Sequence, residues 1–583
     1  MMPGIQIESG DRTSASPGLI ATLAGKCKTH LVLSATFAFL VDVLYLASPI
    51  YLINVYDRVL SSGNRYTLVM LSVALVLALA TLVVLDDARA RLLIRMGLRI
   101  DREVGEPLML ALIREASRAG GKSHAQAIRD LDNFRQVITG PGILIFFDAP
   151  WTPLFSLVLY WLHPLLGLVA VAGAVILLLL AAANEFAIRG VMRDAGTTAR
   201  VNYAHTDEIL HNAETVLGLG METTLLARWK RSRDRLMTSQ ALASGRASGF
   251  NSVIKFVRFG LQALVVATAV WLILDRQVSP GVIFPAMILL GRALAPVEQA
   301  VSSWKSLVGA RQSFSLLAKL LDQPPSRASS MRADRIEGAV SVERLTLTVK
   351  DRVRPILRSV GFSIKAGEAL GIVGANGSGK SSLARVLVGL WQPTFGSVRI
   401  DGADVSQLNR SDVSRFIGYL PQDVQLLSGT VKENIGHFRD DISGEVLAAA
   451  RLAHVHEQIL RLPEGYDTEV GEGGAVLSAG MRQRLGLARA LFADPAVIVL
   501  DEPNSNLDAE AEACLVMTLQ ELKSRGKTVV LIAHRPSLMS VVDRMLVLND
   551  GAVDGFGTRA EILPGITRLA PVKVAHAGSE KTL

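Results

Sequence analysis

The sequence contains few of the residues that hold small secreted proteins together. It has two cysteines in 583 residues, Cys27 and Cys514, and they lie far apart in the chain. A disulfide framework is therefore not expected, and the sequence has no cysteine and histidine spacing typical of a metal site. Residues 1–27 also lack the apolar core and small-residue cleavage site of a secretory signal. We interpret this segment as a cytosolic tail.

Charged residues make up only 20% of the chain, whereas hydrophobic residues make up 50% and the mean hydropathy is +0.35. This composition is too apolar for an ordinary soluble protein and predicts membrane segments. A span needs about 20 apolar residues. We predict six spans, of which the last is short and contains Arg292, at residues 31–55, 66–85, 139–162, 165–183, 256–274 and 282–297.

Loop charge predicts the orientation of these spans. Residues 89–135 carry ten Lys or Arg and residues 189–246 carry nine, whereas the connections on the other side carry three. Because positive charge marks cytosolic loops, we expect both termini and the second half of the chain in the cytosol. This explains the net charge of +8 without nucleic acid as a partner. Apolar residues at helical spacing continue into both long loops, which predicts cytosolic extensions of the membrane helices.

The composition changes after residue 321. Prolines, serines and mixed charges predict a linker, and short β-branched runs that alternate with helical patterns predict a parallel-sheet α/β domain beyond it. The expected layout is a tail at 1–27, an all-α six-helix transmembrane domain at 28–321, a linker at 322–337, an α/β P-loop nucleotide-binding domain at 338–568 and a C-terminal tail at 569–583.

A glycine-rich segment in the second half, GIVGANGSGKSSL, matches the pattern G-x-x-x-x-G-K-S. It follows an apolar strand pattern and opens a helical one, which is the context of a phosphate-binding loop. In such a loop the backbone amides wrap the phosphates, the lysine reaches the β- and γ-phosphates and the serine hydroxyl binds Mg²⁺. The predicted ATP ligands are Gly374, Ala375, Asn376, Gly377, Ser378, Gly379, Lys380, Ser381 and Ser382, of which Ser381 also binds the metal.

Two adjacent acids end the apolar run AVIVLDEP. Asp501 is suited to bind Mg²⁺ directly or through water, and Glu502 to be the base that orients the attacking water. A pair of acids after a strand is by itself often only a helix cap. The phosphate loop in the same domain favours the catalytic interpretation.

The order of the motifs resembles that of ATP-binding cassette (ABC) ATPases. YLPQDVQ and LSAGM lie between the phosphate loop and the acids, and SNLD and LIAHRPS follow them. The resemblance implies that Gln422 contacts Mg²⁺ or the attacking water and that His534 holds the γ-phosphate. It implies ATP contacts from Ser478, Gly480 and Asp508. It also implies a homodimer, because in this family the signature of one subunit faces the phosphate loop of the other.

The second half of the chain departs from the family pattern in two places. The signature has Ala479 and Met481 where the family usually has glycine and glutamine. Alanine is strained if its position needs a positive φ. Val349 stands where the family has an aromatic residue that stacks on adenine, so we expect plain apolar contact with the base there. Neither change removes a phosphate or water ligand, and we still predict hydrolysis.

Four stretches of the membrane half resemble the ATPases of type I protein secretion, nearest to those that export proteases and S-layer proteins. They are SPIYLINVYDRVLSSGNRYTL, FFDAPWTPLF, NAETVLGLGMETTLLARW and GRALAPVEQAVSSWK. The resemblance implies a bacterial inner-membrane exporter of unfolded polypeptides that carry C-terminal secretion signals. It further implies a periplasmic membrane-fusion adaptor and a TolC-like outer-membrane channel as partners, and contact with membrane lipids.

Three other functions are weighed against this one. A lipid or drug exporter would have the same architecture and differ in the membrane motifs. The apolar spans argue against a soluble ABC ATPase that acts on DNA or in translation. An ATP-gated channel or receptor is disfavoured because Lys380, Glu502 and His534 are all present.

The stretch FFDAPWTPLF places an acid and two prolines inside the third span. Intramembrane acids generally face a cavity or a partner group, and prolines interrupt a helix. We expect Asp148 to shape the cytosolic mouth where a polypeptide enters, with Trp151 anchored at the membrane interface. An interfacial helix break with a cap is an equally weighted alternative. Asp42 in the first span is a further candidate for the substrate path.

Overall fold

A computed structural model describes residues 19–118, 126–321, 336–349, 354–408, 413, 415–440 and 442–568. The chain divides into two compact units. The first comprises 1–112 with 124–323, and the second comprises 113–123 with 324–583.

Within its described residues, the first unit consists of helices joined by short turns. Its α-helices are α1 (Leu19–Leu44), α2 (Ala47–Asn54), α3 (Leu60–Ser62), α4 (Arg65–Ser117), α5 (Gln126–Thr139), α6 (Pro141–Asp148), α7 (Thr152–Leu162), α8 (Pro164–His211), α9 (Ala213–Gly218), α10 (Glu222–Leu274) and α11 (Ile283–Leu321). A π-helical turn (Val55–Val59) lies between α2 and α3, and 3₁₀ turns precede α7 (Ala149–Trp151) and α11 (Pro280–Val282).

Within the residues that the structure describes, six helical segments are long and apolar enough to cross a membrane, as predicted. They are Gly25–Ser62, Arg65–Ser117, Ala127–Leu162, Pro164–His211, Glu222–Leu274 and Pro280–Val301. The second, fourth and fifth have 53, 48 and 53 residues. At 1.5 Å per residue, 53 residues reach about 80 Å, far more than a bilayer core of about 30 Å. The helices therefore continue well beyond the spans, as the apolar periodicity of the long loops indicated.

The third span is interrupted where its prolines predicted a break. α6 ends at Asp148, one 3₁₀ turn follows, and α7 begins at Thr152. Pro150 lies in the first turn of the 3₁₀ segment and Pro153 in the first turn of α7. Proline is tolerated at these positions because its missing N–H would have no intrahelical partner there.

The membrane helices pack through aliphatic side chains on one face and expose aliphatic side chains on the other. Leu159, Leu166, Val265 and Leu290 are among the buried residues that join α7, α8, α10 and α11. Along α4, by contrast, the apolar window of the span is only 6% buried. An exposed aliphatic face of this length requires lipid or another protein chain against it.

A carboxylate joins the π-helical turn after α2 to the connection before α11. Asp57 Oδ2 accepts a hydrogen bond from Ser279 Oγ at 2.7 Å, and Asp57 Oδ1 accepts one from the Gly281 backbone N–H at 3.3 Å. A Cβ at position 281 would lie 2.5 Å from Asp57 Oδ1, so glycine permits this close approach.

The second unit is an α/β domain. Its strands are β1 (Val340–Leu347), β2 (Leu357–Ile364), β3 (Ala369–Val373), β4 (Phe395–Ile400), β5 (Ala403–Asp404), β6 (Ile417–Leu420), β7 (Val497–Asp501), β8 (Thr528–Ile532), β9 (Arg544–Asn549) and β10 (Ala552–Thr558). Its α-helices are α12 (Lys380–Leu387), α13 (Val431–Ile435), α14 (Ser443–Leu452), α15 (His456–Leu460), α16 (Ala479–Leu491), α17 (Ala509–Ser524), α18 (Pro536–Met539) and α19 (Arg559–Arg568).

These strands form two sheets. The smaller has the order β2-β1-β4-β5, and its described pairs are antiparallel. The larger has the order β10-β9-β3-β8-β7-β6 and is parallel except for the β9–β10 hairpin. Every residue of β7 and of β8 is buried, which is typical of parallel strands covered on both faces. Because both faces of β7 and β8 are packed against other residues, the positions at which these strands end are well defined.

Candidate functional site

Four neighbouring parallel strands bring the predicted ATP-site residues to one edge of the larger sheet. β6, β7, β8 and β3 lie side by side in that order. The chain leaves their carboxyl ends at Gln422, Asp501 with Glu502, His534 and the phosphate loop, respectively. Carboxyl ends of parallel strands are the usual ligand-binding edge of such a sheet. Motifs that are up to 160 residues apart in sequence therefore lie within one site.

The phosphate loop turns tightly from β3 into α12. A Cβ at Gly374 would lie 2.1 Å from the Leu548 backbone oxygen, and Gly379 has φ +100°, so both positions require glycine. The Lys380 Nζ donates to the backbone oxygens of Gly374 at 2.8 Å and Ala375 at 2.9 Å. Burial lowers the pKa of Lys380, and the nearby carboxylates of Glu502 and Asp501 oppose that shift. The loop thus holds its lysine inside the curve of its own backbone.

Asp501 is a buried carboxylate that lacks hydrogen-bond partners. It is 1% exposed, and neither of its oxygens is hydrogen-bonded by the described residues. Burial raises the pKa of Asp501, while the nearby Ser381 hydroxyl and the Arg385 and Lys380 charges lower it. An unpaired buried carboxylate is costly unless a ligand supplies the missing charge. The hydroxyl of Ser381 and the oxygens of Asp501 are hard donors of the kind that Mg²⁺ binds, so the residues present fit this ion.

Glu502 lies between two other predicted catalytic residues. Gln422 Nε2 donates to Glu502 Oε2 at 2.9 Å, and His534 Nε2 lies 3.9 Å from Glu502 Oε1. Glu502 has φ +51°, a conformation that is rare for a residue other than glycine. Backbone strain of this kind persists where the surroundings fix the residue, and it is enriched at functional sites. The three side chains can therefore orient one water molecule between them.

The signature segment opens a helix and is not strained. Ser478 is the N-cap of α16, and its Oγ accepts from the Met481 N–H at 3.2 Å. Ala479 is the first helical residue and has no positive φ, so the strain considered for alanine at this position does not arise. A Cβ at Gly480 would lie 3.1 Å from the Asn506 oxygen. Within the described residues Ser478 and Gly480 make no hydrogen bond to the phosphate loop.

Asp508, predicted as an ATP contact, is here the N-cap of α17. Its Oδ1 accepts from the Ala511 N–H at 2.8 Å and lies 3.6 Å from Arg484 Nη2. Val349 lies just beyond β1 and is partly buried. The roles of both residues toward ATP remain predictions.

Sequence reasoning missed two sets of contacts around these motifs. Gln483 Nε2 lies within hydrogen-bonding reach of the Glu502 and Pro503 oxygens, at 3.4 and 3.3 Å. Glu512 of α17 accepts from both Arg535 and Ser537, which lie one and three residues after His534. Nothing in the spacing of these residues indicates such contacts, because each joins segments that only the sheet brings together.

The acid of the third span is paired within its own chain. Arg89 Nη1 of α4 donates to Asp148 Oδ1 at 2.7 Å, and Arg89 Nη2 donates to Asp86 Oδ1 at 2.7 Å. The Arg89 side chain is 7% exposed and that of Asp148 is 22% exposed. The rule that intramembrane acids have partners indicated a partner for Asp148, but the sequence did not indicate which residue.

The other two candidates for a substrate path lie on α1 and at the helix break. Asp42 is 6% exposed, and within the described residues its Oδ2 is buried without a hydrogen-bond partner. Trp151 packs on Phe39 of α1, with ring centroids 4.5 Å apart. Asp42, Arg89, Asp148 and Arg292 lie close enough for their charges to interact. We call these four residues the intramembrane charge cluster, and their contribution to substrate passage stays a prediction.

Models of known families match both halves of the chain. The ABC transporter transmembrane region matches residues 31–294, and the ABC transporter family matches residues 357–505. A solved structure of a bacterial Atm1-family ABC exporter with ATP bound shares the fold, with a TM-score of 0.78 over 94% of this chain and 99% of that one, at 24% sequence identity. Fold and site together define a membrane-embedded ABC transporter chain that binds and hydrolyses ATP.

The proteins that this chain resembles show to which group of ABC transporters it belongs. The chain is 36% identical to the type I secretion system ATP-binding protein PrsD of Rhizobium meliloti (strain 1021), over 94% of this chain and 95% of the relative. It is 28% identical to the cyclolysin secretion/processing ATP-binding protein CyaB of Bordetella pertussis, over 94% of this chain and 78% of that protein. The chain belongs to the type I secretion ABC transporters.

Proposed function

We propose that this protein uses ATP hydrolysis to export unfolded polypeptides that carry C-terminal secretion signals. The observation that carries the proposal is the similarity to PrsD, which extends through the membrane half and the ATPase half alike. A shared ATPase half alone would fit any ABC transporter. Similarity along the membrane half favours polypeptide cargo over a lipid or drug.

In the proposed hydrolysis, Lys380 and the backbone amides of the phosphate loop hold the phosphates of ATP. Glu502 accepts a proton from the attacking water, Gln422 keeps the Glu502 carboxylate oriented, and His534 donates to the γ-phosphate. Ser381, Asp501 and Gln422 would hold Mg²⁺, which would neutralise phosphate charge when bound. Charge neutralisation at the γ-phosphate supplies most of the catalytic effect.

The positions of the signature and the phosphate loop favour a homodimer. Ser478 and the N-terminus of α16 offer a hydroxyl, backbone amides and a positive helix end, all suited to a phosphate. They have no hydrogen bond to the phosphate loop within the described part of their own chain. A second copy would bring its signature to this phosphate loop, so that two ATP molecules close two sites.

We infer a bacterial inner-membrane location with the ATPase unit and both termini in the cytosol. Loop charge supports this orientation, because the long helical extensions carry most of the Lys and Arg residues near the spans. Since polypeptides exported by such a system must also cross the outer membrane, we propose a periplasmic adaptor and a TolC-like channel as partners.

Export from intact cells tests the proposal. The transporter would be produced with an adaptor and an outer-membrane channel in a secretion-deficient bacterium, together with a reporter polypeptide. The reporter would end in the C-terminal segment of a candidate secreted protein from the same bacterium. We expect reporter in the medium with the wild-type chain and none with Lys380→Ala.

A reporter without the C-terminal segment is the matched control and should remain in the cells. Retention of the complete reporter by wild-type cells would contradict polypeptide export. In that case, stimulation of ATPase activity in proteoliposomes by a phospholipid or an amphiphilic drug would support the alternative cargo.

A further inference from the structure

The backbone of Glu502 is held in an unfavourable conformation by its neighbours. Its φ of +51° lies in the left-handed region, which is sterically costly for a residue other than glycine. The Glu502 N–H donates to the Ile532 oxygen of β8 at 2.9 Å, and the Glu502 oxygen accepts from the Ser505 N–H at 3.1 Å. Such strain persists only where the surrounding structure fixes the residue. The contacts of this turn therefore decide where the Glu502 carboxylate lies.

A buried glutamine of α16 contacts the same turn. Gln483 is 3% exposed, and its Nε2 lies 3.4 Å from the Glu502 oxygen and 3.3 Å from the Pro503 oxygen. A carboxamide nitrogen carries two N–H groups, so one side chain can donate to both carbonyls. Because the two oxygens belong to consecutive residues, this contact restrains both peptide groups that follow the Cα of Glu502.

α16 approaches the loop that follows β7 at two further places. A Cβ at Gly480 would lie 3.1 Å from the Asn506 oxygen, and Arg484 Nη2 lies 3.6 Å from Asp508 Oδ1. Gln483 and Arg484 come three and four residues after Gly480, so all three lie on one face of the helix. This face runs along the loop, and Gln483 contacts the start of it.

Two side-chain oxygens of the loop do not help to hold it in place. Asn504 Oδ1 and Ser505 Oγ are buried and have no hydrogen-bond partner among the residues that the structure describes. The Gln483 amide, by contrast, reaches the main chain of the loop from a neighbouring helix. The position of the loop therefore depends on a side chain outside it.

We propose that Gln483 is a positioning residue for Glu502. By donating to the two carbonyls, its amide holds the left-handed turn that directs the Glu502 carboxylate toward Gln422 and His534. Gln422 contacts the carboxylate of Glu502 and Gln483 contacts its main chain, so two amides fix opposite ends of one residue. The inference rests on the proposed function, because it requires Glu502 to be the base that accepts a proton from water.

Gln483→Met removes the donor and keeps the length of the side chain. A thioether cannot donate to a carbonyl, and methionine is as good a helix former as glutamine, so α16 should still form. Misplacing a catalytic group by about 1 Å can cost about a hundredfold in rate. For purified transporter in proteoliposomes, we expect kcat for ATP hydrolysis to fall about tenfold or more, while KM for ATP stays within about twofold of wild type.

Gln458→Met on α15 is the matched control. It makes the same exchange at another glutamine of the second unit, which is half-buried and whose Oε1 has no hydrogen-bond partner among the described residues. Its kcat and KM should both stay within about twofold of wild type. Thermal unfolding, measured by tryptophan fluorescence, shows whether a loss of activity follows from a loss of folded protein.

Gln483→Glu is a second test of the donor. It also keeps the length of the side chain, and its ionised carboxylate can only accept hydrogen bonds, so it would face two carbonyl oxygens. We expect it to lower kcat at least as much as Gln483→Met does. If neither variant of Gln483 folds, the residue is structural and the inference is wrong.

The double variant Gln483→Met/Glu502→Gln separates positioning from a general structural role. If Gln483 acts through Glu502, its replacement has no further effect once the base is removed. The double variant should then hydrolyse ATP at a rate within about twofold of Glu502→Gln alone. A general structural role would lower the residual rate by about the same factor in both backgrounds. Single-turnover release of radiolabelled phosphate measures these low rates.

The outcomes separate this inference from the proposed function. If Glu502→Gln loses its activity but Gln483→Met keeps the wild-type kcat, the positioning role is wrong and Glu502 remains the base. A rise in KM for ATP with unchanged kcat would assign Gln483 to nucleotide binding and also overturn the inference. If Glu502→Gln itself hydrolyses ATP at more than about a tenth of the wild-type rate, the proposed mechanism fails.

Discussion

Asp501 of the ATP site and Asp148 of the third span are both carboxylates of limited exposure, but the described residues around them satisfy them differently. In the ATP site, both oxygens of Asp501 are buried without a partner among the described residues. In the membrane half, Asp148 is paired with Arg89 at 2.7 Å. A carboxylate without a partner in the protein is available to bind a ligand, whereas a carboxylate paired with an arginine stabilises the fold. Removing one charge should therefore affect activity in the first region and stability in the second.

Glu502→Gln should have the largest effect on ATPase activity, and it tests the contrast between an effect on activity and an effect on stability. The amide keeps the size of the side chain but cannot accept the proton of the attacking water, so we expect ATPase activity to fall about a hundredfold or more. Thermal unfolding should remain close to wild type. Steady-state phosphate release from purified transporter measures the loss, and Glu510→Gln in α17 is the control. Activity above a tenth of wild type would contradict the assigned base.

Arg89→Leu should show the opposite pattern. It leaves Asp148 as an uncompensated charge, which costs about 3 kcal/mol when a largely buried pair is broken. We expect a lower unfolding temperature in detergent, measured by tryptophan fluorescence. Arg91→Leu, two residues away, breaks an exposed pair with Asp87 and should cost only about 0.3–0.5 kcal/mol.

The double variant Arg89→Leu/Asp148→Asn completes that test. It removes both charges and should recover most of the lost stability. If Arg89→Leu unfolds at the wild-type temperature, the pair is not a structural contact and the contrast between the two regions fails.

Asp501→Asn should abolish ATPase activity and raise the stability of the folded protein. Burial raises the pKa of Asp501, so the charged form is disfavoured in the folded protein, and stability is lost as the pH rises through this raised pKa. The amide removes that penalty. We expect the nucleotide-free variant to unfold at a higher temperature than wild type at pH 8, with a smaller difference at pH 5, and to hydrolyse almost no ATP. A pH-independent difference would contradict the burial argument.

Ser279→Ala tests a third carboxylate, the partly buried Asp57, and should give the smallest effect. The variant removes one of two described hydrogen bonds to Asp57 and should destabilise the protein by about 1 kcal/mol. ATPase activity should not change. Chemical denaturation with Ser244→Ala as the exposed control would measure the difference. A cost above about 3 kcal/mol would show that Asp57 has no remaining partner of consequence.

The two regions also differ in how far the sequence predicted them. Lys380, Asp501, Glu502 and His534 were assigned from motif order, and the sheet brings them to one edge. Such motifs are local, because each is a strand followed by a short loop. The partner of Asp148 was not predicted, since Arg89 is 59 residues away on another helix and no local pattern joins them.

The sequence by itself determined the six apolar spans, the broken third span and the α/β domain, and it predicted the ATP-site residues that the sheet brings to one edge. These depend on hydrophobic periodicity, proline chemistry and short loops whose residue types match phosphate and water. The tertiary structure alone decided that Ala479 is unstrained and that Arg89 neutralises Asp148. Such features arise where distant helices or strands meet, and the choice among many possible partners is made only by packing.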